Sequence, residues 1–340
     1  MPFNGFSTAP AIHSSTHSIM HSMLKDYLRL HFIVLLWGFT AILGKLISLP
    51  PVELVFWRTL LAAAGLAALL VVRKQPWRLP MSQVLRLLGV GALVAAHWIM
   101  FFLAARLSSV SVCLAGMATL ALWTSLLEPL LLWRRVRFYE VGLGMLTMVG
   151  LYIVAQAVYG PASVPSAAPT GFAGQGQLLG LGVAVISAGL SALFSVFNST
   201  LVKRHSPMQI TLYEMSGACL SIILFMPIYS RYFTDGRGLN LALIGTDWLW
   251  MLLLAGACTV YAFSSSVELM KRISAFVVNL TINLEPVYGI LLAVVLYTLR
   301  VPGFAQERLS TGFYLGTLVI LSSVLIQPML AARLRRMSLQ

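Results

Sequence analysis

Long apolar runs alternate along the chain with short breaks that contain charged residues, proline or glycine. An α-helix rises about 1.5 Å per residue, so about 20 apolar residues are needed to cross the hydrocarbon core of a bilayer. The pattern therefore predicts an all-α integral membrane protein with ten transmembrane helices. The predicted spans cover approximately residues 32–49, 53–72, 84–106, 109–133, 138–158, 177–201, 208–230, 248–268, 273–299 and 310–332.

The segment between the fifth and sixth predicted spans, residues 159–176, is uncharged and has the Pro, Gly and Ser content of a linker. Five spans on each side of it give the two halves opposite orientations in the membrane. Two short matches support a duplication: PVELVFWR (51–58) has the proline-to-charge spacing of PMQITLYE (207–214), and Leu-Glu-Pro occurs at 127–129 and 284–286. We predict two inverted five-helix repeats, residues 30–158 and 177–332, joined by an extracytoplasmic linker.

The two Leu-Glu-Pro copies differ in depth. Counting the helical rise places Glu128 near the cytoplasmic end of the fourth span, beside Arg134 and Arg135. The same count places Glu285 close to the middle of the ninth span. The two glutamates therefore need not have the same role.

Positive charges are concentrated in every second loop. Of the 23 Lys and Arg residues, 16 lie near the two termini or in alternate loops, five lie in the other loops, and Lys45 and Arg58 lie within spans. Positively charged loops normally stay in the cytoplasm. We therefore predict that both termini are cytoplasmic, as an N-terminal tail (1–29) and a basic C-terminal tail (333–340).

Composition supports the membrane class, since 59% of the 340 residues are hydrophobic and 10% are charged. The formal net charge of +13 does not indicate nucleic-acid binding, because the cations lie in small groups between apolar runs. The three cysteines lie in apolar segments and lack metal-binding spacing. His13, His17 and His21 recur every four residues, a spacing that could hold a metal on one helix face, but we predict neither metal nor cofactor.

The ninth span carries the most polar candidates for a site. An ionisable group at membrane depth is costly, so it normally faces a cavity and has a partner. Glu285 is the deepest acid, and the following Pro286 leaves a carbonyl one turn earlier without its hydrogen bond. The alternative is a structural kink with a protonated Glu285. Asn279, Asn283 and Tyr288 could bind a solute or join neighbouring helices by hydrogen bonds.

His97 lies near the middle of the third span and is followed by Trp98. A histidine beside aromatic rings could hold an aromatic or zwitterionic solute or relay a proton, and packing is the alternative. Trp37 in the first span is a further aromatic candidate, because its ring could stack on a ligand.

Three charged residues lie nearer the membrane surfaces. Lys45 and Arg58 fall in the outer part of the membrane, and Glu214 lies near the cytoplasmic mouth at the position equivalent to Arg58. Lys45 is a candidate for binding or coupling. Opposite charges at two mouths could act as alternate gates, and the alternative is structural pairing or snorkelling to the headgroups.

Five motifs resemble the EamA branch of the drug/metabolite transporter superfamily over about residues 30–332. They are LLWGFTAILGKL (35–46), FWRTLLAA (56–63), AHWIMFFLAARLSSVSV (96–112), LLEPLLLWRRVRFYEVGLG (126–144) and TINLEPVYGILLAVVLY (281–297). The resemblance implies two inverted repeats around a cavity that is lined by spans 1, 3, 4, 6, 8 and 9. It also implies export of small metabolites, amino acids or drugs, and a bacterial inner membrane.

We therefore expect a secondary transporter that exports a small organic solute, amino-acid-like or drug-like, by alternating access. Proton coupling through Glu285 and His97 is left open, as is a homodimer. HExxH, GxSxG and Walker A motifs are absent from the sequence, which favours neither an enzyme nor ATP-driven export. The expected partners are the solute and the lipid bilayer, not nucleic acid. A channel or a lipid scramblase without ion coupling is the alternative.

Overall fold

The computed structural model describes residues 11–108, 110–159, 172–234, 236, 238–300 and 311–337. These residues form thirteen α-helices and one π-helical turn, and they contain no β-strand. The π-helical turn, Gly256–Tyr261, joins α9 to α10. The α-helices are α1 (Ala11–Leu46), α2 (Pro51–Val72), α3 (Met81–Leu107), α4 (Val110–Met117), α5 (Leu120–Leu132), α6 (Phe138–Tyr159), α7 (Phe172–Leu201), α8 (Pro207–Tyr232), α9 (Asp247–Ala255), α10 (Ala262–Leu269), α11 (Ala275–Ile282), α12 (Glu285–Thr298) and α13 (Thr311–Met337).

Eight helical segments of the described chain are long and apolar enough to cross a membrane. They lie at the positions of predicted spans 1 to 3 and 6 to 10. Two shorter apolar segments, Leu120–Leu132 and Phe138–Val154, lie at the positions of spans 4 and 5. The predicted all-helical class is confirmed, and eight of the ten predicted spans reach full crossing length within the described residues.

The predicted tails and linker fall partly outside the described residues, which exclude 1–10, 160–171 and 338–340. α1 begins at Ala11, so this helix includes part of the predicted N-terminal tail. The side chains of His13, His17 and His21 lie outside the described part of the chain.

Local sequence explains where several helices begin. α2 and α8 each start at a proline, whose fixed φ suits the first turn of a helix. The hydroxyl of Ser206 accepts a hydrogen bond from the backbone N–H of Gln209 at 3.2 Å, and the side chain of Gln209 accepts one from the backbone N–H of Ser206 at 3.2 Å. This reciprocal capping box fixes the start of α8.

Three of the predicted spans are interrupted. The fourth is divided between α4 and α5, the eighth contains the π-helical turn, and the ninth is divided between α11 and α12 at residues 283–284. In the ninth span, Leu-Glu-Pro starts a helix, with Pro286 in the first turn, where a missing N–H is tolerated. In the fourth span, Pro129 lies inside α5. The same tripeptide thus begins one helix and lies within another.

Helices from the two predicted repeats pack against each other throughout the molecule. α3 packs against α7 and α8, and α2 packs against α8. α1 packs against α10 and α12, α4 and α5 pack against α7, and α6 packs against α13. This interleaving leaves a cavity where the two repeats meet.

Candidate functional site

The cavity between the repeats has a volume of about 70 Å³. Side chains from α1 to α5 line it on one side, and side chains from α7, α10, α11 and α12 line it on the other. Five of the ten site residues predicted from the sequence meet here: Trp37, Arg58, His97, Trp98 and Glu285. A water molecule needs roughly 10–15 Å³ of such space, so the cavity has room for a few waters.

Arg58 projects from α2 into this cavity and is 2% exposed. Its Nε donates a hydrogen bond to Oγ1 of Thr259 at 2.8 Å, and its guanidinium carbon lies 3.6 Å from the centroid of the Trp98 ring. Stacking of this kind stabilises a desolvated guanidinium. Within the described residues, the two terminal nitrogens of Arg58 have no hydrogen-bond partner and no ion pair within 4.0 Å. Their N–H groups are therefore available to an anionic group.

The π-helical turn provides the partners of two cavity residues. Thr259, which holds Arg58, lies in this turn and donates its own hydroxyl to the carbonyl of Leu254 at 2.9 Å. The indole N–H of Trp37 donates to the carbonyl of Cys258 in the same turn at 3.0 Å. π-Helical turns shift the backbone register and often occur at functional sites. Here the turn orients one cation and one aromatic ring.

Glu285 is the first residue of α12, and its half-buried carboxyl faces the same cavity. Within the described part of the chain, this carboxyl has no hydrogen-bond partner and no cation within 4.0 Å. A carboxylate at a helix N-terminus is favoured by the helix dipole. α1 closes this region from one side, since a Cβ added to Gly38 would lie 2.9 Å from the backbone oxygen of Glu285. The cavity thus contains a buried cation and a carboxyl that do not pair with each other.

His97 joins α3 to α7. Its Nδ1 donates to the backbone carbonyl of Ser187 at 2.9 Å, and the Ser187 hydroxyl donates to the carbonyl of His97 at 2.9 Å. Because a carbonyl only accepts, Nδ1 carries the proton. Within the described residues Nε2 has no hydrogen-bond partner, so it is available as an acceptor on the cavity side. The ring also lies 5.5 Å from that of Phe194.

A polar stripe on α7 forms part of the cavity wall, and it was not predicted from the sequence. Ser191, Ser195 and Asn198 line the cavity, and Ser187 lies one turn earlier on the same face. Their spacing of four, four and three residues is the helical repeat. That spacing was the signal in the sequence that could have identified them.

The two predicted asparagines of the ninth span connect it to the fourth. Asn279 donates to the Thr124 hydroxyl at 2.8 Å and accepts from the Ser195 hydroxyl at 3.3 Å. Asn283 donates to the carbonyl of Ala118 at 3.4 Å, at the break between α4 and α5. Both side chains are buried, and neither lines the central cavity. Their contacts join the two interrupted spans.

The remaining predicted residues lie away from the cavity wall. The Tyr288 hydroxyl hydrogen-bonds Nδ1 of His31 at 2.8 Å, which joins α12 to α1. Glu214 is buried behind Asn198 and does not line the cavity. The side chain of Lys45 lies outside the described part of the structure. Arg58, predicted nearer the outer surface, lines the same cavity as Glu285.

A larger open groove, with a volume of about 1090 Å³, lies at one end of the bundle. Its cations have partners: Arg137 pairs with Glu140 at 3.2 Å, and Arg272 donates to Asp26 at 2.5 and 2.7 Å. The hydrogen bonds to Asp26 raise the pKa of Arg272. None of the site residues predicted from the sequence lines this groove. The described side chains contain no cluster of three metal-ligating residues in this groove or elsewhere.

Comparisons with known proteins place this geometry in a family. The sequence matches the model of the EamA-like transporter family twice, over residues 27–156 and 178–327. Among 24 matching chains of solved structures, one described only as a crystal structure of a protein is similar to this chain, with a TM-score of 0.68. The alignment covers 91% of this chain and 98% of the solved chain at 20% sequence identity, which shows a shared fold. A search of curated proteins finds no match. Because the two family matches cover most of its length, the chain belongs to the EamA-like transporter family, which confirms the family predicted from the motifs.

Proposed function

We propose that this protein is a secondary transporter that exports a small zwitterionic, amino-acid-like solute by alternating access. EamA-like proteins are membrane transporters of the drug/metabolite transporter superfamily, so transport itself follows from the family. The choice of solute rests on one observation: the terminal nitrogens of Arg58 and the carboxyl of Glu285 face one cavity, and within the described residues neither has a hydrogen-bond partner or an ion pair within 4.0 Å.

Unpaired charges inside a membrane protein favour a ligand that neutralises them. Burial of an ion costs on the order of several kcal/mol unless it is paired. Arg58 and Glu285 attract each other across the cavity but form no ion pair within 4.0 Å. A carboxylate would bind the terminal N–H groups of Arg58, whose planar fork suits carboxylate recognition. An ammonium group would bind the carboxylate of Glu285. The rings of Trp37 and Trp98 would pack against an apolar or aromatic side chain.

The solute can enter only if the cavity widens. Its volume of about 70 Å³ is well below the roughly 300–1,000 Å³ of typical ligand pockets. All three interrupted spans contribute residues to the cavity or its partners. Breaks in transport helices allow half-helices to move around a central site. This arrangement supports a transport cycle in which the described conformation alternates with wider ones.

The proposal includes ten spans in two inverted repeats, with both termini in the cytoplasm of a bacterial inner membrane. Two findings support the two repeats. The family matches lie on either side of the predicted linker. The helix pairs also correspond when the halves are exchanged: α3 packs against α7 as α10 packs against α1, and α4 and α5 pack against α7 as α12 packs against α1.

Proton coupling would follow from competition at Glu285. A carboxylate can bind the ammonium group of the solute or a proton but not both, so proton entry would displace the solute. Nε2 of His97 would be a second proton acceptor on the cavity wall. Roles for Lys45 in binding, and for Arg58 and Glu214 in gating, stay predictions.

The test is efflux from lipid vesicles that contain the purified full-length protein. The vesicles are loaded with phenylalanine, other amino acids, amines, carboxylic acids or sugars, and efflux is followed with and without an inward proton gradient. The variants are Glu285→Gln and, as a matched control, Glu128→Gln, which makes the same change at a buried glutamate outside the cavity.

We expect saturable efflux of zwitterions that the gradient accelerates in the wild type. Glu285→Gln should remove the acceleration, and Glu128→Gln should retain it. Unchanged gradient-driven efflux in Glu285→Gln would contradict the role of Glu285. Non-saturable ion conduction or lipid transfer without solute counterflow would instead support a channel or a scramblase.

A further inference from the structure

Glu214 and Asn198 form a second polar pair, behind the cavity, that solute binding does not use. Asn198 belongs to α7 and lines the cavity, whereas Glu214 belongs to α8 and is 0% exposed. Nδ2 of Asn198 donates to Oε2 of Glu214 at 3.3 Å. This is the one hydrogen bond that the Glu214 side chain makes within the described residues.

Each side chain of this pair keeps one buried oxygen without a donor. Oε1 of Glu214 and Oδ1 of Asn198 have no hydrogen-bond partner. Turning the amide over does not help, because an ionised carboxylate has no proton to donate to the amide oxygen. Buried acceptors of this kind are costly when they lack a donor. One added proton supplies the missing donor. An O–H group on Oε1 of Glu214 can donate to Oδ1 of Asn198, while Nδ2 of Asn198 donates to Oε2 of Glu214.

Nothing else near the pair compensates a negative charge on Glu214. The elements that pack against α8 are α2, α3 and α10, and α7 carries Asn198. Of their titratable groups, Arg58 bonds Thr259, His97 bonds Ser187, and Glu268 pairs with Arg29 at 2.8 Å. Arg106 donates to the backbone carbonyl of Leu49, Arg86 is exposed, and Glu53 is itself acidic. Glu285, across the cavity, is itself acidic. Within the described residues no cation lies within 4.0 Å of Glu214.

Close helix packing seals the other side of Glu214. The backbone of α3 lies directly on that of α8, since a Cβ added to Gly91 would overlap the backbone oxygen of Glu214. A Cβ added to Gly217, one turn later on α8, would overlap the backbone of Leu88. Glu214 is therefore closest to the cavity on the side that Asn198 covers.

We infer that Glu214 is a proton-binding site: it holds a proton on Oε1 in this conformation and exchanges it with cavity water across Asn198. When the Asn198 amide rotates away, the O–H bond of Glu214 breaks and a water takes the proton. The carboxylate that remains is then exposed to the cavity rather than sealed from it. Ser195 and Ser191 extend the polar face of α7 from Asn198 towards His97. Use of this proton in a transport cycle rests on the proposed function, whereas its presence does not.

Infrared spectroscopy of the full-length protein in vesicles detects the proton directly, without any solute. A protonated carboxyl has its own carbonyl stretch, separate from that of a carboxylate. Spectra are recorded at neutral pH, after transfer to heavy water, and across a pH titration. The variants are Glu214→Gln, Asn198→Leu on the wild-type glutamate, and Glu128→Gln as the control.

We expect a protonated-carboxyl band that disappears in Glu214→Gln, persists in Glu128→Gln, shifts in heavy water and is lost at high pH. In Asn198→Leu the frequency of the band should shift, because the amide partner of Glu214 is gone. This variant keeps the test valid if Glu214→Gln does not fold. If no band is lost in Glu214→Gln, or none shifts in Asn198→Leu, the inference is wrong. A band that neither exchanges with deuterium nor titrates would mean a permanently structural acid, and a response to Na⁺ instead of pH would mean a metal-ion site.

Failure of the vesicle efflux test would leave these spectra unchanged. If the wild type showed no Glu214 band, the proposal of zwitterion efflux through Arg58 and Glu285 would in turn be unaffected. The two proposals therefore fail separately.

Discussion

The two Leu-Glu-Pro segments place the same glutamate in opposite surroundings. Glu128 is buried near the end of α5, where Oε2 forms a salt bridge with Arg134 at 3.1 Å and accepts the backbone N–H of Phe276 at 3.2 Å. Glu285 begins α12 and faces the central cavity, with no hydrogen-bond partner and no cation within 4.0 Å in the described residues. One carboxylate has a close cation and a backbone donor, and within the described residues the other has neither.

This difference arises from helix register rather than from residue type. Pro129 continues a helix, so Glu128 stays beside Arg134 and close to the first turn of α11. Pro286 instead follows a break, so Glu285 lies at a new helix N-terminus that opens on the cavity. A repeated motif therefore does not by itself indicate a common role. Glu285, in the second Leu-Glu-Pro segment, is the glutamate to which we assign solute binding.

The largest expected effect separates the two glutamates in binding. Glu285→Gln should lower the affinity for a zwitterion about 10- to 100-fold, because a charged hydrogen bond is worth about 1.5–3 kcal/mol. Glu128→Gln should leave affinity within about twofold, since Glu128 does not touch the cavity. Isothermal titration calorimetry in detergent measures both values. Equal losses in the two variants would contradict the separation.

The next largest effect is on stability, where we expect Glu128→Gln to have the larger effect and Glu285→Gln the smaller one. Glu128→Gln should lower the free energy of unfolding by about 2 kcal/mol, because the Arg134 pair is lost within a buried cluster. Glu285→Gln should leave stability unchanged or raise it, because it removes a charge that forms no ion pair within 4.0 Å in the described residues. Thermal unfolding in a single detergent compares the two variants. A less stable Glu285→Gln would show that Glu285 has a structural partner.

A smaller effect tests how the cavity cation is held. Thr259→Val removes the acceptor of the Arg58 Nε bond and should cost about 1 kcal/mol, or about fivefold in solute affinity. Thr124→Val is the matched control, since its hydroxyl bonds Asn279 away from the cavity. The change should appear in affinity and not in the control. No loss in Thr259→Val would mean that Trp98 alone orients the guanidinium.

The smallest effect concerns the contacts between the two interrupted spans. Asn279→Ala should cost about 1 kcal/mol and Asn283→Ala about 0.5 kcal/mol, because the first loses two hydrogen bonds and the second a single long one. Chemical unfolding in mixed micelles can rank them. The opposite ranking would mean that Asn283, at the break between α11 and α12, contributes more to stability than its hydrogen-bond distance indicates.

The sequence predicts what depends on local hydrophobicity and charge. Apolar runs identify the membrane-spanning helices, and the helical rise alone separates the depth of Glu128 from that of Glu285. The position of Thr259 depends on a π-helical turn, which the pattern of apolar and charged residues does not reveal. Asn198 was missed because its role depends on a partner 16 residues away in another helix. Tyr288 was predicted beside the site because it follows Glu285, yet its hydroxyl bonds His31 instead.

The central claim is that Arg58 binds the carboxylate and Glu285 the ammonium group of one solute. It is tested by the binding of phenylalanine, its methyl ester and N-acetylphenylalanine to the wild type, Arg58→Gln and Glu285→Gln. Binding is followed by tryptophan fluorescence, to which Trp37 and Trp98 of the cavity contribute among the eight tryptophans. Arg58→Gln should weaken binding of phenylalanine and leave the ester, which lacks the carboxylate, unchanged. Glu285→Gln should weaken phenylalanine and leave the N-acetyl compound, which lacks the ammonium group, unchanged. Loss of ester affinity in Arg58→Gln as large as the loss for phenylalanine would contradict the claim.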